Sequence, residues 1–150
     1  TATDPIAVAH GVSRFLAIES CGQCTPCKQD GLAASDLLDL MRRGESQDDA
    51  VELLMPLLHR VPEGARCDLG RQHERVVASL VERFGDVAIA HAVDKISADP
   101  VLVAPITNID DEGVAHIDES QRTKQPDWEH GDRWSGQSPA DRYDVAVTIQ

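Results

Sequence analysis

Residues 21–27 read Cys-Gly-Gln-Cys-Thr-Pro-Cys and hold three of the four cysteines of this chain. The fourth is Cys67, and no cysteine lies anywhere else in the 150 residues. Four thiols are the number of ligands that a tetrahedral metal ion or an iron–sulfur cluster needs. We therefore expect the fold to be organised around one site, formed together by Cys21, Cys24, Cys27 and Cys67.

The spacing of these cysteines helps to distinguish a zinc site from an iron–sulfur cluster. Structural zinc sites usually take their ligands as two close pairs, whereas three closely spaced cysteines with one distant partner are typical of iron–sulfur proteins. The spacing therefore favours a [4Fe–4S] cluster, with zinc as the alternative. Gly22 lets the backbone pass close to an inorganic core, and Pro26 stiffens the turn. Lys28 and a helix beginning near Gly31 would bring positive charge to the thiolates.

The composition limits the classes of protein to which the chain can belong. A length of 150 residues allows one domain or one domain with a tail, and a hydrophobic fraction of 41%, with 3% aromatic residues, is enough for a modest aliphatic core. A net charge of −12 repels phosphate, so nucleic acid is not an expected partner. No apolar run approaches the roughly 20 residues of a membrane span, and none resembles a secretion signal. We expect a cytoplasmic protein that reaches a membrane surface only through a complex.

Short helices are indicated for most of the first two thirds of the chain. Asp4-Pro5 is a typical helix start, because Asp accepts hydrogen bonds from free amides and Pro fits the first helical position. Gly44 can end a helix in the left-handed conformation, and Ser46 with Asp49 resembles a capping box for the next one. The apolar spacing predicts helices near residues 6–18, 32–41, 51–58, 76–84 and 86–96.

The sequence pattern changes near residue 97, and we divide the chain into two domains there. Residues 1–97 are predicted to be all-α, a small four-helix bundle around the iron–sulfur site. Residues 98–150 are predicted to be an irregular, extended C-terminal arm with 11 acidic and 4 basic residues. Such a segment buries little by itself, so it is either disordered or becomes ordered on a partner. We favour docking, because both tryptophans lie in the arm and buried aromatics anchor interfaces: Trp128 and Trp134.

Two short strands are predicted within this arm, at Val101–Ile106 and Tyr143–Ile149. Between them the sequence is rich in Gly, Pro, Asn and Asp and lacks periodicity, which indicates turns. The strands are therefore expected to be separate short pieces in an otherwise irregular segment.

The sequence around the cysteines resembles a known family. Residues 19–28, Glu-Ser-Cys-Gly-Gln-Cys-Thr-Pro-Cys-Lys, are similar to the E-S-C-G-x-C-x-P-C-R signature of the NADH dehydrogenase flavoprotein subunit family. Residues 67–70, Cys-Asp-Leu-Gly, are similar to its later C-x-L-G and follow at about the expected distance. The family includes the NADH-oxidising subunit of respiratory complex I and relatives in NAD-linked hydrogenases and formate dehydrogenases. The resemblance covers roughly residues 5–95.

The resemblance implies a four-helix domain in which all four cysteines ligate one [4Fe–4S] cluster. Two departures concern the surroundings of the ligands: Lys28 stands where the family usually has Arg, and the next glycine comes late, at Gly31. Family members carry flavin and NADH on a preceding domain with glycine-rich loops, and this chain has no G-x-G among its ten glycines. We therefore do not expect it to bind NADH or FMN by itself. The residues expected next to the ligands are Glu19, Ser20, Gly22 and Lys28.

The expected function is electron relay within a hydrogenase, formate dehydrogenase or NADH dehydrogenase-like complex. One cluster would pass single electrons between redox centres of partner subunits, which carry flavin or a catalytic metal. We expect no catalytic residue, since there is no G-x-S-x-G motif and no metalloprotease histidine pair. The six histidines are expected on the surface or on helix faces. Two alternatives remain, a zinc-stapled helical adaptor and an iron–sulfur sensor that regulates a partner.

Overall fold

A computed structural model of the protein describes residues 3–126. Within this range the chain is mostly helical, with five α-helices, a two-stranded antiparallel sheet and one short 3-10 helix. The mostly helical class is thereby confirmed. The described range has five helices, as the apolar spacing predicted, and the finer expectation of a four-helix bundle is not specifically confirmed. The elements are α1 (Pro5–Glu19), α2 (Thr25–Arg42), α3 (Ala50–Arg60), α4 (Leu69–Arg83), α5 (Gly85–Val93), β1 (Ile106–Ile109), β2 (Ala115–Ile117) and the 3-10 helix Glu119–Arg122.

Two helix ends follow directly from their capping residues. The carboxylate of Asp4 accepts hydrogen bonds at 2.9 Å from the two amides that follow Pro5, which starts α1. At the end of α2, Gly44 has a φ of +69°, and the amide of Glu45 donates to the carbonyl of Leu40 at 2.9 Å. This pairing is the Schellman motif, which satisfies carbonyls left without a helical partner. Both predicted helix ends are confirmed.

The second helix begins earlier than the sequence led us to expect. We expected a start near Gly31, whereas α2 begins at Thr25 and already contains Cys27. Proline is well tolerated in a first helical turn, because its missing amide hydrogen has no partner there. Pro26 therefore belongs to the start of a helix and not to a stiffened loop.

Two further expectations from local sequence are wrong. The capping box at Ser46 is absent: Asp49 precedes α3 without a side-chain cap, and Ser46 Oγ is buried without a hydrogen-bond partner in residues 3–126. The strand expected at Val101–Ile106 lies further along the chain, because β1 starts only at Ile106. Residues 101–104 are instead half-buried, and Val101 and Val103 lie next to Gly11 of α1.

The core lies between the five helices and is made of small and aliphatic side chains. α1 packs against α2 and α4, and α2 packs against α3. Alanines at the contacts let the helix axes approach closely, which suits a chain with few aromatic residues. The buried cluster consists of Ile6, Ala9, Ala34, Leu38, Met41, Ala50, Leu54, Leu58, Val77, Ala78, Val81, Ala88 and Ala92.

Three of the histidines lie on helices, as one of the two expected placements allowed, and are buried in the bundle: His10, His73 and His91. The Nε2 atom of His73 lies 2.8 Å from the hydroxyl of Ser13, joining α4 to α1. Burial lowers the pKa of His73 to about 4, so its imidazole is neutral at pH 7. His91 lies between the carboxylate of Asp4, at 2.9 Å, and a backbone carbonyl. These contacts join the first helix to the fourth and fifth.

The first part of the C-terminal arm packs against the helices. The amide of Ala98 donates to the carbonyl of Arg42 at 2.7 Å, and the guanidinium of Arg42 donates back to the Ala98 carbonyl at 3.2 Å. A Cβ atom added at Gly11 of α1 would lie 2.4 Å from the carbonyl oxygen of Val101, so the arm passes this helix closely. Trp128, Trp134 and the strand expected at 143–149 lie outside the described residues.

No helix in residues 3–126 combines the length and the apolar character that crossing a membrane requires.

We predict that His73→Gln reduces the pH dependence of stability between pH 7 and pH 5. The unfolded chain protonates this imidazole near its ordinary pKa of 6.5, whereas in the folded protein the pKa is about 4. The wild type therefore loses stability as the pH falls from 6.5 towards 4, by about 2 kcal/mol at pH 5. Chemical unfolding of the full chain at both pH values measures this loss. The exposed His59 provides the control His59→Gln, and an equal loss in wild type and His73→Gln would contradict the account.

Candidate metal centre

The four cysteines come from two places in the fold. Cys21 and Cys24 lie in the turn between α1 and α2, and Cys27 lies in the first turns of α2. Cys67 lies in the loop between α3 and α4. Their burial is graded: Cys27 is buried, Cys21 and Cys24 are half-buried, and Cys67 is exposed.

The structure brings the two cysteine-bearing segments together. The thiol of Cys24 points to the carbonyl of Gly64, 3.9 Å away in the loop that carries Cys67. Burial, and after it the nearby sulfur groups of Cys24, Cys67 and Cys21, together raise the pKa of the Cys27 thiol to about 11, against an opposing effect of Lys28. All three other cysteines therefore lie close enough to Cys27 to act on its thiol.

The donor set fits a soft metal centre. Sulfur ligands suit zinc or iron–sulfur clusters, whereas magnesium and calcium take oxygen. As the side chains stand in residues 3–126, no three His, Cys, Asp or Glu groups have an arrangement that would hold a metal ion. Ligation by all four sulfurs therefore requires the thiol side chains to turn towards a common centre. It also requires thiolates, and a bound cation would supply the charge that makes deprotonation of Cys27 favourable.

The turn that carries the first cysteines contains a glycine in the left-handed region. Gly22 is buried and has a φ of +80°, in the region that L-residues with side chains rarely adopt. The chain reverses there between the end of α1 and the start of α2. A residue with a Cβ atom at this position would strain the turn between Cys21 and Cys24.

Lys28 is the most deeply buried charged side chain near the cysteines. It is fully buried, and its ammonium donates to three carbonyls at the end of α1, at 3.0 to 3.2 Å. Those carbonyls carry the partial negative charge of the helix C-terminus, and the ammonium offsets that charge beside the thiols. The sequence indicated a charge near the ligands but not that it ties α2 to α1. The three acceptors belong to Ala17, Ile18 and Ser20.

Glu19 and Ser20 form the end of α1, and both have structural contacts. The hydroxyl of Ser20 donates to the carbonyl of Ala17 at 2.9 Å. The carboxylate of Glu19 accepts from Lys124 at 2.6 Å and from Gln121 at 2.7 Å. Burial acts to raise the pKa of Glu19, but these hydrogen bonds outweigh it, so the pKa lies below its usual range. The residue two positions before Cys21 thus holds the arm.

A second anchor of the arm lies one helical turn earlier and was missed by the sequence analysis. The guanidinium of Arg14 donates to the carbonyl of Gln121 at 2.7 Å and to that of Lys124 at 2.8 Å. Contacts between residues more than 100 positions apart leave no local pattern in the sequence. Together, Arg14 and Glu19 fasten the 3-10 helix to the part of α1 next to the cysteine turn.

A comparison with protein families identifies this site. The model of the NADH-ubiquinone oxidoreductase-F iron–sulfur binding region matches residues 7–91, more than half of the chain. The chain belongs to this family. The region that defines the family binds a 4Fe–4S cluster, and the matched residues include all four cysteines. The resemblance inferred from the motif is thereby confirmed.

Curated relatives with similar sequences are subunits of larger oxidoreductases. The 51 kDa subunit of NADH-ubiquinone oxidoreductase from Aspergillus niger is 28% identical over 55% of this chain and 16% of its own length. NADH dehydrogenase [ubiquinone] flavoprotein 1 from Dictyostelium discoideum is 32% identical over 55% of this chain and 17% of its own length. The NADP-reducing hydrogenase subunit HndC from Solidesulfovibrio fructosivorans is 28% identical over 68% of this chain and 21% of its own length.

The chain thus spans about a sixth to a fifth of the length of these relatives. No solved structure matches it significantly.

We predict that Lys28→Met destabilises the fold by about 2–4 kcal/mol, because it leaves three buried carbonyls without their charged donor. Lys28→Arg should retain most of the stability, since a guanidinium can donate to the same carbonyls. Urea unfolding followed by circular dichroism measures both variants. A Lys28→Met protein as stable as the wild type would mean that these hydrogen bonds do not hold α2 to α1.

Proposed function

We propose that this chain is an electron-relay subunit, or the electron-relay part, of a multi-subunit oxidoreductase. One [4Fe–4S] cluster would be held by Cys21, Cys24, Cys27 and Cys67. When bound, such a cluster accepts and releases one electron at a time. The substrate chemistry would then take place on partner subunits that carry flavin or a catalytic metal, as in a hydrogenase, formate dehydrogenase or NADH dehydrogenase-like complex.

The observation that carries this proposal is the position of all four cysteines inside the family's iron–sulfur region, residues 7–91. The other three cysteines also influence the thiol of Cys27. A chain whose four cysteines all lie in this region has the donors for one cluster and no thiol for a second. This argument supports a single relay centre.

The residues around the thiols have distinct roles in the proposed relay. Lys28 and the amides of the first turn of α2 provide positive charge, which favours the reduced and more negative state. The buried side of the turn, with Gly22 and Cys27, keeps water from one side of the centre. Cys67 is exposed, so the side of the cluster next to this ligand would lie near the protein surface, where a partner can approach.

The division of labour between the two parts of the chain is also a proposal. Residues 1–97 would form the cluster-binding domain, and residues 98–150 would serve to attach it to partner subunits. The contacts of Arg14 and Glu19 with the arm support a fixed attachment at one end of α1. A cytoplasmic location, at a membrane surface only through the complex, stays a prediction.

We predict that Cys67→Ser loses or degrades the cluster, because one of its four ligands is removed and the loop is no longer tied to the cysteine turn. Iron and acid-labile sulfide analysis of anaerobically purified protein should fall well below wild type, and thermal melting should shift to lower temperature. The neighbouring variant Asp68→Asn keeps all four thiols and is the matched control. Unchanged iron content and melting in Cys67→Ser would contradict the assignment of this ligand.

We also predict the result of removing residues 98–150. The helical domain should keep its cluster, whereas its melting temperature should fall, because Glu19 and Arg14 lose their partners in the arm. Binding to the redox partners should weaken. Visible spectra, melting curves and co-purification measure the three properties, with Lys124→Met as a milder variant that removes one anchor only. Co-purification equal to that of the full chain would rule out an attachment role for the arm.

A further inference from the structure

The two strands of the arm form a hairpin with one entirely apolar face. Opposite residues of an antiparallel pair lie on the same face, and alternate residues along a strand lie on opposite faces. Ile106 pairs with Ile117, whereas Ile109 pairs with Ala115 and Asn108 with His116. The register shifts between Ile106 and Asn108, as in a β-bulge. The residues brought to the same face by this shift are Ile106, Ile109, Ala115 and Ile117.

This apolar face is exposed to solvent. Every residue of β1 and β2 is exposed, and the exposed fractions are 61% for Ile106, 61% for Ile109 and 37% for Ile117. Isolated exposed aliphatic residues are common on protein surfaces, but a contiguous group on one face of a sheet marks an interaction site. A two-stranded hairpin is also marginally stable in water unless another element covers one face.

The hairpin is nevertheless held in a fixed shape and position. Its turn is closed by Asp110, whose carboxylate accepts from the amides of Glu112 and Val114 and lies 2.9 Å from His116. At the base, the preceding segment is bound to Arg42 and the following 3-10 helix to Arg14. The segments on both sides of the hairpin are therefore anchored to the helices, while the apolar face stays exposed to solvent.

The charge around this face determines what kind of surface can cover it. Residues 105–118, which form the hairpin, contain four acidic side chains and no Lys or Arg. Two copies of this chain meeting face to face would bring these acidic groups together, which disfavours a homodimer. Anionic lipid and nucleic acid are disfavoured for the same reason. The complementary surface is an apolar strip bordered by Lys and Arg.

We propose that the hairpin 105–118 is the docking element through which the chain binds another protein subunit, which presents an apolar strip with a basic border. The identification of that subunit as a redox partner rests on the proposed relay function. The segment that follows the hairpin is bound to Glu19, two residues before Cys21, so the base of the hairpin is tied to the end of α1 next to the cysteine turn.

The first test uses photo-cross-linking of the full chain in its own host. A benzophenone amino acid is placed at Ile106, on the apolar face, or at Asn108, on the opposite face. We expect the probe at Ile106 to link to one other polypeptide, at a stretch containing Lys or Arg, with much weaker linking from Asn108. The proposal would be overturned if the probe at Ile106 linked to a second copy of this chain or to residues 127–150 of the same chain. It would also be overturned if both positions linked equally or if neither linked to anything.

The second test uses the subunit identified by cross-linking. Ile109→Asp and Asn108→Asp add the same charge to opposite faces of the hairpin. We expect the Kd to rise about tenfold or more for Ile109→Asp and by about twofold or less for Asn108→Asp. Because the hairpin lies outside the core, both variants should melt like the wild type. Equal weakening by both substitutions would overturn the apolar docking face.

A third measurement tests the charge argument and separates the docking face from the relay function. Asp111→Asn with Glu112→Gln should reduce the salt dependence of the Kd, because the partner's basic border loses its counterparts; an unchanged salt dependence would overturn the basic border. The visible spectrum of the purified chain is recorded in parallel. If it lacks a cluster, the relay function fails, while the docking face is still judged by the two cross-linking positions.

Discussion

Two separate stretches of the chain have to reach the same point, because three thiols lie in the turn between α1 and α2 and the fourth lies in the loop between α3 and α4. The buried ammonium of Lys28 holds the turn against the end of α1. The aliphatic core holds α3 and α4 against the first two helices, and so determines where the loop with Cys67 lies. Without a bound cation the thiol of Cys27 remains protonated at pH 7, as its raised pKa indicates. Binding of a cluster and closure of the site are therefore one coupled process.

The end of α1 links the cysteine site to the rest of the molecule. Its terminal carbonyls accept hydrogen bonds from the ammonium of Lys28, and the carboxylate of Glu19 accepts one from Lys124 in the arm. About one turn earlier, the guanidinium of Arg14 donates to a backbone carbonyl of the same arm. A partner bound to the hairpin would therefore be linked to the cysteine turn through the 3-10 helix and its hydrogen bonds to Glu19 and Arg14. This arrangement suits a subunit whose electron-carrying centre has to lie at a defined distance from a partner. It also explains why part of the acidic arm packs on the bundle although it contributes little to the core.

Local sequence signals predicted the parts of the structure that depend on neighbouring residues. The helix start at Asp4 with Pro5 and the left-handed helix end at Gly44 are each determined by the chemistry of a few adjacent positions, and both are confirmed. The start of α2 was placed too late, because Pro26 is equally compatible with a turn and with a first helical turn. The expected cap at Ser46 failed, since its hydroxyl is buried and no backbone amide donates to it within the described residues.

Features that depend on distant contacts could not be predicted. His73 and His91 are buried because Ser13 and Asp4 reach them across the bundle, and no periodicity encodes such pairs. The strand was expected before Ile106, because Val101–Ile106 is the more apolar stretch, but that apolar stretch packs beside α1 near Gly11. The four cysteines were recognised from the motif, whereas the deep burial of Lys28 and the anchoring of the arm by Arg14 became apparent only in three dimensions.

The central claim is that one iron–sulfur cluster is held among the four thiols. Mössbauer spectroscopy of the full chain, purified without oxygen from cells grown on ⁵⁷Fe, tests it most directly, together with iron and sulfide analysis. The account predicts about four iron and four sulfide per chain and the spectrum of a [4Fe–4S] centre that changes on reduction by one electron. A colourless protein containing one zinc ion per chain and no sulfide would contradict it.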